Sequence, residues 1–293
     1  MSVQDVLACA ERFMWLNARV IDRLRFEYHF RDGRPEKALQ ALRAYECDDG
    51  GFGHALEPDF RGPSAQPLPV WTALELIDEL GLSRDATAAG MVRGALGWLE
   101  SVTLADGGIP FVLPSIAGGP HAPWLEPEEP PASSLLMTGL VVDVVRRLGV
   151  EHPWTARAAE FCWSAIERMT DPHPYEARSA LAFLDHAGDP ARVDRAFAHI
   201  AKVVRDKKLV TLAPVPGQES HTPLDFAPHP DMVARRLFDE TMIDRQLDAL
   251  SAAQQPDGGW NVDWTMWTPI VQPEWRGVQT IRKLRTLRAY RRL

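Results

Sequence analysis

Apolar residues recur at intervals of three and four along most of the chain, and no stretch shows the sustained alternation of a half-buried strand. The spacing predicts amphipathic helices at residues 37–45 (KALQALRAY), 91–102 (MVRGALGWLESV) and 241–253 (TMIDRQLDALSAA). Each is followed by one short string: DDGGF at 48–52, ADGGI at 105–109 and PDGGW at 256–260. Beyond each string a Pro-rich loop leads into a second helix, at 67–80 (PLPVWTALELIDEL), 131–148 and 273–287. Proline in a first helical turn forfeits no hydrogen bond. The repeating unit is therefore helix, Asp-Gly-Gly turn, Pro-rich loop, helix. Its glycines supply the positive φ that ends one helix and let the next backbone pack close.

The second gap between strings spans about three periods of the ~50-residue order that repeat arrays use, so two intervening units have lost the string. Residues 153–169 with 174–187, and 190–204 with 231–238, fit the same pairing, and Asp189-Pro190 marks a helix start. With one N-terminal helix from Val3 to about Phe30, the expectation is about eleven helices and no strand. The second helix of several pairs is the more apolar, as in 134–145 (SLLMTGLVVDVV), which predicts that it is enclosed while its partner faces water. Concentric pairs closing into an all-α (α/α)-toroid, one domain over residues 1–293, satisfy that asymmetry. An open solenoid would leave an apolar wall exposed.

Composition narrows the function. A net charge of −8 excludes a general binder of phosphate backbones, hence no nucleic acid is expected, and 45% hydrophobic content excludes disorder. No window approaches the apolar length of a transmembrane helix, and the start (MSVQDVLACAERF) puts Asp5, Glu11 and Arg12 where a secretory signal is apolar, so a cytoplasmic protein is expected. The three cysteines, Cys9, Cys47 and Cys162, form no CxxC pair and are expected to be buried thiols. Serine-hydrolase, P-loop and dinucleotide motifs are absent.

In such an architecture chemistry belongs on the loops that lead into the inner helices. The first carries His54, Glu57, Asp59, Arg61 and Gln66, with Trp71 just inside the helix. Two carboxylates beside a His and an Arg suit acid and base roles, or else cap turns with Arg61 as their ion-pair partner. In the loop 121–134, Glu126, Glu128 and Glu129 read as a solvated run, and Trp124 as either a cavity wall or a plug at the end of the core. His221, Asp225, His229 and Asp231 suit a metal by composition, but Pro223, Pro228 and Pro230 prevent the helix that would align them, so a cavity lining is expected and no metal. The loop 261–275 holds Trp264, Trp267, Glu274 and Trp275, rings suited to an apolar cavity or to capping gaps between helices. The basic residues of 276–292 read as a solvated face, or as an attraction for diphosphate or a membrane surface.

These motifs resemble a known group. Gln254, Gly258 and Trp260 match the QxxxGxW core of the QW repeat of squalene-hopene and oxidosqualene cyclases, and DGGF is similar to turns of protein prenyltransferase β subunits. Glu46, Gly50 and Phe52 form a degenerate copy, and Thr103, Gly107 and Ile109 a weaker one. The string 54–74 is also similar to that of uncharacterised bacterial members. The resemblance implies a terpenoid cyclase and prenyltransferase toroid with a ligand cavity behind the lead-in loops. The chain has no DxDD acid, no DDxxD magnesium site and no zinc set of Asp, Cys and His, so neither metal nor cofactor is expected. The expected function is enclosure of a small apolar or amphipathic substrate, with Glu57 and Asp59 as acid and base and Gln66 orienting. Trp71, Trp124, Trp267 and Trp275 would be walls facing that space, with His54, Arg61, Asp225 and Glu274 as further contacts. A binding protein without chemistry and a carbohydrate-active hydrolase or lyase are the alternatives.

Overall fold

The computed structural model describes residues 3–214 and 217–293, and among these every regular element is helical, with only two isolated β-bridges. Twelve α-helices follow one another among the described residues: α1 (Val3–Asn17), α2 (Val20–Phe30), α3 (Pro35–Leu42), α4 (Pro67–Glu79), α5 (Ala86–Ser101), α6 (Leu135–Arg147), α7 (Pro153–Glu167), α8 (Pro174–Asp185), α9 (Pro190–Asp206), α10 (Pro223–Phe226), α11 (Glu240–Ala252) and α12 (Val271–Ala289). The chain divides into two compact units, Leu42–Leu209 and Met1–Ala41 with Val210–Leu293.

In the Leu42–Leu209 unit, α6 packs against α4, α7 and α8. It is the enclosed helix that its composition predicts, with Met137, Val141, Val142, Val144 and Val145 fully buried. Gly139 leaves room for Ser179 of α8, whose Oγ donates to the carbonyls of Leu135 and Leu136 at 3.1 and 2.8 Å. Ser134 caps α6 through Met137 N, Asp85 caps α5 through Thr87 N and Ala88 N, and Pro153, Pro174 and Pro190 open α7, α8 and α9.

The three Asp-Gly-Gly strings form one and the same turn. In each, the aspartate Oδ1 accepts from the N–H of the second glycine, at 3.0 Å for Asp49, 3.1 Å for Asp106 and 3.1 Å for Asp257. The first glycine has φ of +85° at Gly50, +92° at Gly107 and +97° at Gly258. That glycine lies against the backbone of a neighbouring helix. A Cβ would stand 3.0 Å from Gly94 O of α5, 2.7 Å from Arg157 O of α7 and 2.0 Å from Cys9 O of α1, respectively. The second glycine lies under an aromatic ring four residues further along that same helix: Trp98 over Gly51, Phe161 over Gly108 and Phe13 over Gly259. Where the string is missing, after α7, His199 of α9 instead donates from Nε2 to Met169 O at 2.8 Å.

In the other unit, α12 packs on α1 and α2, and α11 on α10 and α12. Gln254 ties the third turn to α1 by donating from Nε2 to Val6 O at 3.0 Å and to Gly258 O at 2.9 Å. Three expectations are corrected. The single N-terminal helix is two, because Ala18 is buried against Gly277 and Arg19 turns extended to pair with the buried Asp22 at 2.7 Å. The helix expected at 231–238 is only a 3₁₀ segment, Val233–Leu237, while the regular turn falls earlier, at α10, where Pro223 starts it and Asp225 caps it. Of the three thiols only Cys162 is buried, whereas Cys47 is half-buried and Cys9 exposed.

The docking of the turns fixes an expected outcome. Gly258→Ala should lose at least about 3 kcal/mol, since it adds both a strained φ and a backbone clash. Gly90→Ala, on an open face of α5 with nothing within 4 Å, should gain about 0.5–1 kcal/mol. Urea unfolding of the two variants beside the parent reads both, and equal stabilities would refute the docking argument.

Candidate functional site

In the Leu42–Leu209 unit the first two lead-in loops are zipped into one body. Arg61 N donates to Pro120 O and Ala122 N to Asp59 O, both at 3.0 Å, so that Phe60 and His121 form a bridge. Gln66, buried at the start of α4, spends its carboxamide on this joint. Oε1 accepts from Leu113 N at 2.9 Å and Nε2 donates to Ser115 Oγ at 2.9 Å. Glu57 and Asp59 are 5% and 6% exposed. Glu57 Oε2 accepts from Asp59 N at 2.8 Å and Phe60 N at 3.2 Å, closing the turn in which both carboxylates sit. Just before it, His54 and Ala55 adopt φ of +55° and +64°, a strained pair for residues with side chains. His54 is exposed and Arg61 half-buried. Trp71 is half-buried on α4, and its Nε1 is buried without a hydrogen-bond partner. Trp124 is 50% exposed, so it does not plug the core.

A cleft of about 710 Å³ opens beside the first Asp-Gly-Gly turn, between Asp49, Cys47, Trp98 and Ser115. Its polar atoms are largely spent on the turn: Asp49 Oδ2 accepts from Trp98 Nε1 at 3.1 Å, and the Cys47 thiol donates to Pro63 O at 3.3 Å. Burial, reinforced by Asp49, Asp48 and Glu46, pushes that thiol up to about 11, which leaves it un-ionised and a poor nucleophile near neutral pH.

In the other unit, Asp225 caps α10 through Thr222 N at 2.9 Å and Thr222 Oγ1 at 2.7 Å, and pairs with Lys283 at 3.1 Å. Those partners make it a structural carboxylate. The loop before α12 folds its rings together. Trp275, Val271 and Val278 are buried, and half-buried Val262, Trp264, Met266 and Trp267 pack against them. Trp264 meets Trp275 edge-on at 5.3 Å. Within this apolar cluster the Trp275 Nε1–H is buried and has no acceptor, a donor that costs free energy until something accepts from it. Glu274 stands half-buried beside it in sequence.

A charged network that the sequence reading missed joins the far ends of the inner helices. Asp143 of α6 is buried; it accepts from His186 Nδ1 at 2.7 Å and from Arg147 Nε at 3.1 Å, and Arg147 reaches on to Glu75 and Asp78 of α4. The signal was present: a lone aspartate in the apolar run SLLMTGLVVDVV has to be paired. Burial raises the Asp143 carboxyl, and the hydrogen bond from His186 to Asp143 raises the imidazole above 6.5.

Comparison with known proteins returns no matching family model and no matching curated protein. Solved structures do match. The apo type II terpene cyclase MstE from Scytonema superposes with a TM-score of 0.57 at 12% identity, over 98% of this chain and 88% of that one. A variant of that cyclase in complex with geranylgeranyl dihydroxybenzoate gives 0.50 at 12%, over 96% and 86%. The chain has the terpene-cyclase α/α-toroid fold. That likeness reaches the fold alone.

Two outcomes are expected. Glu57→Gln keeps an acceptor but loses the charge that draws two N–H groups, so it should cost about 1–2 kcal/mol in thermal or urea unfolding. A group raised in the fold binds its proton more tightly there. The stability from Asp143 and His186 is therefore full below their ordinary values of 3.8 and 6.5 and is lost as pH rises through the raised ones. Stability should fall as pH rises above the ordinary imidazole value of 6.5. His186→Asn should flatten that fall, and an unchanged pH slope would remove the pair as its cause.

Proposed function

We propose that the protein binds a small apolar or amphipathic molecule of isoprenoid type against the loop before α12, and that Glu57 and Asp59 supply acid–base chemistry toward a ligand of that class. The observation that carries the reading is the tryptophan cluster with its orphan donor. Trp264, Trp267 and Met266 are only half-buried, so apolar surface is available, and the Trp275 N–H offers one directional bond to an oxygen on an otherwise apolar ligand. The fold supports the same reading, because a protein sharing it has been seen in complex with geranylgeranyl dihydroxybenzoate, an isoprenoid chain on a polar ring. For the carboxylates the support is the strained, buried turn that holds them.

A second reading, binding without turnover, has its own observation. One oxygen of Glu57 is committed to backbone N–H groups and the Gln66 carboxamide to the neighbouring loop, which is how structural groups behave.

Titration of intrinsic tryptophan fluorescence with geranylgeraniol should give saturable quenching. Trp275→Phe, which keeps the ring and removes the donor, and Trp267→Leu should each weaken it by about tenfold, near 1.4 kcal/mol. Quenching that does not saturate, or that both variants retain, refutes the site. Mass spectrometry of the incubated ligand separates the readings. A product lost in Glu57→Gln or Asp59→Asn supports chemistry, and saturable binding with unchanged ligand supports the second.

A further inference from the structure

The cleft beside the first Asp-Gly-Gly turn is lined wholly by residues of the Leu42–Leu209 unit, and its volume of about 710 Å³ is that of a small-molecule site. Two glycines of α5 lie along it. Gly94 is covered, since a Cβ on Gly50 would stand 3.0 Å from its carbonyl oxygen. Gly97 is not: a Cβ there would meet nothing within 4 Å, so the cleft is open above that turn of the helix. Val102, Leu113 and Ala65 add apolar surface to its lining. The result is an apolar hollow whose emptiest point is a residue without a side chain.

Two opposite charges line the same cleft unused. Arg93 and Asp48 are exposed, and neither has an ion-pair or hydrogen-bond partner among the described residues. Both flank the backbone contact between turn and helix, because Arg93 immediately precedes Gly94 and Asp48 stands two residues before Gly50. The other polar groups are engaged. Asp49 accepts from Gly51 N and Trp98 Nε1, the Cys47 thiol donates to Pro63 O, and Ser101 Oγ donates to Trp98 O at 2.6 Å. A ligand bearing one charge would satisfy Arg93 or Asp48 and face the other with like sign, whereas a ligand bearing both signs close together satisfies the two.

We propose that this cleft binds a free α-amino acid with a large apolar side chain: Arg93 takes the carboxylate, Asp48 takes the ammonium group, and the side chain fills the space over Gly97 against Val102 and Leu113. The guanidinium fork matches a carboxylate, and the two rim charges orient the ligand more than they hold it, because water screens them. The holding comes from the apolar side chain leaving water. Bound there, the ligand would link α5 to the loop around Leu113 and raise the melting temperature of the chain. The site belongs to a different unit from Trp275 and does not rest on the function proposed above.

Calorimetric titration of the full chain tests it. L-phenylalanine and L-leucine should bind saturably, while 3-phenylpropanoate, which lacks the amine, and 2-phenylethylamine, which lacks the carboxylate, should each bind about tenfold more weakly than phenylalanine. Arg93→Gln should erase the preference over 2-phenylethylamine, and Asp48→Asn the preference over 3-phenylpropanoate. Gly97→Leu, which fills the hollow, should weaken phenylalanine by about tenfold or more. Gly90→Leu, the same replacement on α5 outside the cleft lining, should leave it unchanged. Both leucines enter open space and replace a helical glycine, so neither variant should melt below the parent. Trp275→Phe should not alter amino-acid binding, so the two sites can fail separately. The proposal is overturned if neither amino acid binds saturably, if either analogue binds as tightly as phenylalanine, or if Gly97→Leu retains full affinity.

Discussion

At residues 50, 107 and 258 the chain leaves no room for a Cβ, and the rest of the architecture follows from that restriction. Each of these glycines presses its backbone onto a neighbouring helix, at Gly94, Arg157 and Cys9, while its partner glycine receives an aromatic ring from the next turn of that helix. One turn thereby sets three things at once: where a helix stops, how far it stands from its neighbour, and in what direction the following loop departs. The aspartate holds the shape from within by binding the second glycine's N–H. A helix–helix spacing fixed by backbone rather than by side-chain volume tolerates wide variation elsewhere, because few side chains take part in it.

The two ends of the inner helices then do different work. In the Leu42–Leu209 unit, α4, α6 and α8 run parallel. Gln66 and the paired loops tie the start of α4 to the loop ahead of α6, and Ser179 ties α8 to the first turn of α6, whereas Arg147, Asp143 and His186 join their last turns. Arginine at a helix C-terminus also faces the negative end of the helix dipole, which favours the far end as a purely electrostatic staple. The lead-in ends carry longer, irregular backbone, strained at His54 and Ala55, and there the buried carboxylates reside. The other unit repeats the division: Arg288 closes the far end of α2, and the aromatic cluster sits at the beginning of α12.

What could be read from the sequence was whatever depends on neighbours along the chain. The Asp-Gly-Gly turns, the prolines that open α4, α7, α8 and α9 and the apolar run of α6 are local signals that appear where their spacing put them, whereas Pro131 lies ahead of α6, which Ser134 caps, and Pro273 lies inside α12. What could not be read depends on contacts distant in sequence. Nothing between Asn17 and Val20 breaks a helix on its own; Gly277, some 260 residues away, makes the space that Ala18 fills. Gln66 looked like a ligand contact because a polar residue before an inner helix is ambiguous until Leu113 and Ser115 arrive beside it. Whether Trp124 plugs the core could not be read because composition says nothing about which side of a loop faces water. The tryptophans of 264–275 were visible as an excess, and only their packing revealed that one indole lacks an acceptor.

Because the docking turns lie outside the lead-in loops, the fold and any chemistry on it are separable. A chain can keep the glycines, the capping aspartates and the helix-opening prolines while its loops change freely, and it will still superpose on a terpene cyclase with only 12% identity. The absence of the DxDD and DDxxD strings therefore says little about folding and much about reaction. A cyclase that starts its carbocation by protonating an alkene needs an acid kept dry and un-ionised. Among the carboxylates here, Asp143 has the raised, buried environment for that role, yet it is tied to His186 and Arg147 at the staple end, away from the loops. The physical demands of holding the helices have claimed this raised, buried carboxyl.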